Sequence, residues 1–169
     1  MYPVGEWTDE ERAKLIICEK ELLASTWGLV ALAPWLQDTV VSWTDNTVAM
    51  SAMQTMAPRS EIMQEIAAQR TAYLFEGDII EQSFRITSKA NLWADLGSRG
   101  KPGEVVRQAA ACGLRGAREV SVDPAWRDTS RLCEAAARRE KPEKQGRGGA
   151  ASERVVRGRA ASIAASKGG

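Results

Sequence analysis

The chain has 169 residues, enough for one domain of ordinary size, and its 23 Lys and Arg nearly balance its 22 Asp and Glu. It contains no histidine, and its three cysteines, Cys18, Cys112 and Cys133, show no CxxC spacing. That disfavours a zinc site or a disulfide framework and points to a reduced, intracellular setting.

The neutral total hides an asymmetry. Up to Arg99 there are 8 basic and 14 acidic residues, and afterwards 15 basic and 8 acidic. The composition shifts near Gly100, so the expected organisation is a compact body at 7–99, a weakly helical linker at 100–140 and a basic tail at 141–169. The longest uncharged stretch, residues 22–37, is too short for a membrane span and is interrupted by Gly28 and Pro34. Glu6, Asp9, Glu10 and Glu11 at the start do not suit a signal peptide. A soluble protein of cytoplasm or nucleus, with no membrane partner, is expected.

The first helix is announced by Thr8 and Glu11, spaced for a capping box. Leu15, Leu22, Leu23, Trp27, Leu29 and Val30 continue it at helical spacing until Pro34 ends it. Residues 39–44, Thr-Val-Val-Ser-Trp-Thr, are β-branched and aromatic and read as a buried strand. Asp45 and Asn46 stop it and open a helix carrying Val48, Met50, Met53 and Met56, which Pro58 breaks. Ser60 suits the cap of a third helix with Ile62, Met63, Ile66, Tyr73 and Leu74. After a turn at Gly77 and Asp78, residues 80–86 form a second strand, with Ile80, Phe84 and Ile86 on one face and Glu81, Ser83 and Arg85 on the other. Asn91 begins a last short helix.

Helix, strand, helix, helix, strand, helix is an α/β pattern whose two strands should run parallel, because helical crossovers join them. No strand run precedes Glu21. Beyond Lys141 the sequence is a low-complexity mixture of Gly, Ala, Ser and Arg, expected to be disordered.

Three carboxylates stand at informative points of this pattern. Glu21 is on the first helix, Asp45 at a strand end and Asp95 in the short last helix. Carboxylates converging from separate elements can hold two magnesium ions roughly 4 Å apart, the arrangement that cleaves phosphodiesters by activating a water and neutralising the leaving oxygen. Plainer roles remain open. Asp45 suits a helix N-cap or turn, and Asp95 suits the positive end of a helix without any ligand. On the helical wheel Glu19, rather than Glu21, occupies the middle of the apolar stripe, where an unpaired carboxylate is expensive.

Glu-Leu-Leu-Ala at residues 21–24, Thr-Asp-Asn at 44–46 and Asn-Leu-Trp-Ala-Asp-Leu-Gly-Ser-Arg at 91–99 occur in an order that resembles the RNase H domain of gypsy-type and DIRS-type retrotransposon reverse transcriptases. The resemblance spans residues 7–99. It implies a partial RNase H-like fold, with Glu21, Asp45 and Asp95 as catalytic metal ligands for Mg2+, or Mn2+ in its place. It also implies Asn46, Ser98 and Arg99 near the phosphates of an RNA/DNA hybrid. Family members begin with a three-stranded antiparallel meander whose first strand carries the aspartate that bridges both metals, and nothing before Glu21 supplies it. The expectation is therefore a truncated domain, inactive alone, or one completed by a partner chain that brings the missing strands. The alternative is a noncatalytic nucleic-acid or protein interaction module, its basic tail attracting phosphate without reading sequence.

Overall fold

The computed structural model describes residues 2–4, 6–36, 38–114 and 119–139, so the tail expected to be disordered lies outside the described residues. The elements run β1 (Tyr2–Val4), α1 (Asp9–Lys14), α2 (Ile17–Leu32), β2 (Thr39–Thr44), α3 (Thr47–Thr55), α4 (Glu61–Glu76), β3 (Ile80–Arg85), α5 (Leu92–Ser98), α6 (Pro102–Ala111), β4 (Glu119–Ser121) and α7 (Ser130–Arg139). This is a mixed α/β chain dominated by helix.

The capping box forms as the sequence predicts. The Thr8 hydroxyl accepts from the Glu11 amide at 3.1 Å, and the Glu11 carboxylate accepts from the Thr8 amide at 2.7 Å. The single long helix expected to follow is divided into α1 and α2. Leu15 is extended, with ψ of 133°, and this turns its side chain into the core. The helix restarts because the Glu19 carboxylate accepts from the Ile16 amide at 3.0 Å. Glu19 is fully buried, yet it has further donors in Ser60 Oγ at 3.1 Å and Arg139 Nη1 at 2.7 Å. A carboxylate in an apolar stripe is tolerated here because each of its oxygens has a partner.

β2 and β3 pair in parallel along their whole length, from Thr39 beside Ile80 to Thr44 beside Arg85, with α3 and α4 as the crossover. Their two faces are the reverse of a simple hydrophobic alternation. Val41, Trp43, Ile80 and Phe84 share the outer face and are 43–63% exposed, with Trp43 and Phe84 rings 5.2 Å apart. β2 is therefore not the buried strand its composition predicts. The inner face carries Ser42, Glu81 and Ser83, because Arg70 comes down from α4 to meet it. Arg70 is fully buried, its Nε donates to Glu81 Oε2 at 2.8 Å, and its Nη2 pairs with Glu81 Oε1. The same guanidinium donates to Thr26 of α2 at 3.3 Å and to Ser42 of β2 at 3.4 Å. One polar knot thus ties the sheet to α2 and α4.

The apolar core lies among α2, α3 and α4, with Leu22, Leu23, Trp27, Ala49, Met53, Ile62 and Ile66 at its centre. The body does not end at Arg99, as the composition shift suggests. Leu132 and Ala136 of α7, four residues apart on one helix face, join the core, and Cys133 beside them is also buried. Thr129 donates to the buried Glu11 at 2.7 Å, the Trp126 carbonyl accepts from Trp27 Nε1 at 2.7 Å, and the Arg127 guanidinium sits 3.9 Å over the Trp27 ring. These contacts close over more than ninety residues of chain, which local pattern cannot reveal. β4 adds a second small parallel sheet with β1, a strand that the sequence pattern does not announce.

Candidate metal centre at the end of β2

The three predicted carboxylates line one cleft. It has a volume of about 550 Å³ and lies between α2, β2 and α5, with Glu21, Asp45 and Asp95 on its wall. α2 supplies Glu21 because Leu22 and Leu23 take the core side of the helix and Glu19 takes the α7 side. β2 supplies Asp45 where the strand stops, and α5 supplies Asp95 one turn into a short helix.

Glu21 has an unusual environment. Its Oε2 is buried without a hydrogen-bond partner among the described residues. Burial pushes its pKa above the usual carboxylate range, the negative charge of Asp45 pushes in the same direction, and a hydrogen bond from the Asn46 side chain partly opposes both. The arrangement calls for a positive charge or a proton at this point.

Asp45 is not the cap of α3. Asn46 takes that role, its Oδ1 accepting from the Val48 amide at 2.9 Å and the Ala49 amide at 3.0 Å. Asp45 is left free for the cleft and receives Asn91 Nδ2 at 3.1 Å. Asn91 is a site residue that sequence reasoning did not single out. Its position just before α5 suggests an ordinary cap, but its side chain caps nothing and reaches across to Asp45 instead.

Asp95 faces the cleft but is engaged, its Oδ1 accepting from Arg99 Nε at 2.8 Å. The predicted phosphate contacts lie in the same region. Ser98 lines the cleft, with its hydroxyl donating to the Asp95 carbonyl at 2.9 Å, while Arg99 is largely exposed. Asn46 is already committed to the cap of α3 and to Glu21.

Glu21 and Asp45, with the orphaned Oε2, suit one hard cation with oxygen ligands. The full trio does not make a two-ion cradle: among the described residues no three Asp, Glu, His or Cys side chains stand close enough to hold a metal. Burial raises the thiol pKa of both Cys18 and Cys133, which disfavours their nucleophilic thiolate forms. Among the described residues no helix is long and apolar enough to cross a membrane.

The chain matches no family model, and neither the curated proteins nor the solved structures include one significantly similar to it.

Proposed function

We infer that this chain is a remnant of a retroelement reverse-transcriptase RNase H domain, whose complete form hydrolyses the RNA strand of an RNA/DNA hybrid with two magnesium ions. The observation that carries this reading is the cleft itself. Carboxylates from a helix, a strand end and a late helix, in the order of the resemblance, line one cleft beside a strand paired in parallel with the next. Asp45 is also relieved of the capping role that would have explained it more simply.

The remnant does not cleave by itself. Glu21 and Asp45 hold at most one cation between them, Asp95 is neutralised by Arg99, and no described strand brings a fourth carboxylate beside Asp45. Losing the bridging carboxylate removes most of the electrostatic stabilisation on which such a transition state depends. When bound, the cation would polarise a phosphate oxygen or a water. The chain's own contribution is to orient Asp45 through Asn91 and to bury one unpartnered oxygen of Glu21 within reach of the Asp45 charge.

The test is incubation of the full chain with a labelled RNA/DNA hybrid and Mg2+, with Asp45→Asn and Asp95→Asn alongside. The expected result is no metal-dependent cleavage by any of the three. Cleavage by the parent chain that both substitutions abolish would overturn the inactive reading. A second reading, a noncatalytic binding module with a basic tail, is favoured by the Arg99 to Asp95 pair, which engages the third carboxylate of the cleft. It predicts hybrid binding that weakens steeply with salt and survives Asp45→Asn.

A further inference from the structure

The outer edge of β2 is open. β3 donates to β2 through the Ile80 amide to the Asp38 carbonyl at 2.7 Å and the Ile86 amide to the Thr44 carbonyl at 3.0 Å. In a parallel pair the residues that face the partner alternate, so Thr39, Val41 and Trp43 direct their amides and carbonyls away from β3. β2 has no second partner among the described strands. An unpaired, uncharged edge of this kind is a template for an added strand. The cleft runs along this edge. Leu29, Leu32 and Leu36 make one end apolar, and Glu21 and Asp45 make the other end negative.

We propose that residues 154–157 of this chain, Arg-Val-Val-Arg, dock along the β2 edge, with Val155 against the apolar end of the cleft, Arg157 on the same strand face against Glu21 and Asp45, and Val156 on the outer face with Val41 and Trp43. This goes beyond the remnant reading and does not depend on it. Three observations select this occupant over others. First, charge complementarity: residues 140–169 carry seven Lys and Arg and three Asp and Glu, and the only adjacent β-branched pair among them, Val155 and Val156, is flanked by Arg154 and Arg157.

Second, the described chain ends close by. Arg139 is held to Glu19 at 2.7 Å, on the same helix as Glu21. Third, the length suffices. The fifteen residues from Arg139 to Arg154 span up to about 50 Å when extended, whereas α2 from Glu19, on its α7 side, to Leu32 at the far end of the cleft is only about 20 Å long. The orphaned Glu21 Oε2 would then gain the cationic donor it lacks.

The experiment is amide hydrogen exchange, read residue by residue by NMR, on the full chain, the Val155→Asp/Val156→Asp variant and Arg157→Glu, each at two protein concentrations. In each variant the Ile66 amide, at a fully buried core position, reports whether the fold is intact. Docking predicts that the Val41 and Trp43 amides exchange at least about tenfold slower in the parent chain than in the double-aspartate variant, with Arg157→Glu intermediate, at either concentration. Equally fast exchange in parent and variants would overturn the proposal. Protection that grows with protein concentration would also overturn it, and would identify a second copy as the occupant.

Discussion

Replacing Arg70 with methionine probes the polar knot that positions the cleft. Its guanidinium is buried, with side-chain exposure of 1%, against a Glu81 side chain of 2%. Removing it strands the Glu81 carboxylate inside the protein, with only the Ser42 hydroxyl left as a donor. Breaking one side of a buried ion pair costs about 3–5 kcal/mol, against a total stability of about 5–15 kcal/mol for a domain of this class. With a urea m-value of about 2 kcal/mol/M, the unfolding midpoint should fall by about 2 M. The double variant Arg70→Met/Glu81→Leu should recover most of that loss, because an apolar pair of similar volume carries no desolvation penalty. Urea titrations of the parent, both single variants and the double variant, followed by far-ultraviolet circular dichroism, give the coupling energy, expected above about 2 kcal/mol. A single Arg70→Met cost below about 1 kcal/mol, or a double variant as unstable as the sum of the singles, would refute the description of this knot.

Other expectations follow from the same contacts. Because Glu21 has a raised pKa, the folded state holds its proton to higher pH than the unfolded state. Its contribution therefore makes stability fall as pH rises from the ordinary carboxylate range through the folded pKa. Glu21→Gln should flatten that slope and add about 1 kcal/mol at neutral pH, measurable by urea titration at several pH values. Arg139→Ala should cost about 1–3 kcal/mol by leaving one Glu19 oxygen with a single donor fewer, read in the same assay. Leu132→Ala, at a site 4% exposed, should cost about 2–5 kcal/mol; a negligible effect would detach α7 from the core.

What the sequence disclosed was local. The Thr8 and Glu11 spacing, the β-branched run at 39–44 and the Ser60 cap each act within a few residues, and each formed where expected. The parallel pairing followed from the helices between the strands. Three carboxylates in one cleft were legible only through the resemblance that their ordered motifs carry, since periodicity marks Glu19 rather than Glu21 as special. What stayed hidden depends on distant partners. Glu19 is satisfied by an arginine 120 residues away, and the polar face of β3 turns inward only because Arg70 is waiting there. Asn91 looked like a cap because its service to Asp45 is tertiary. The interior role of α7 escaped notice because alanine and one leucine make a narrow stripe that resembles linker composition.

The most direct test of the account is Mn2+ binding to the full chain, followed by paramagnetic broadening of assigned amide signals. The carboxylate cleft as a former metal site predicts that Glu21 and Asp45 broaden first, at millimolar Mn2+ in competition with neighbouring arginines, and that Asp45→Asn removes the effect while the Ile66 signal stays sharp. Broadening spread over the acidic surface, or unchanged in Asp45→Asn, would contradict the assignment of this cleft.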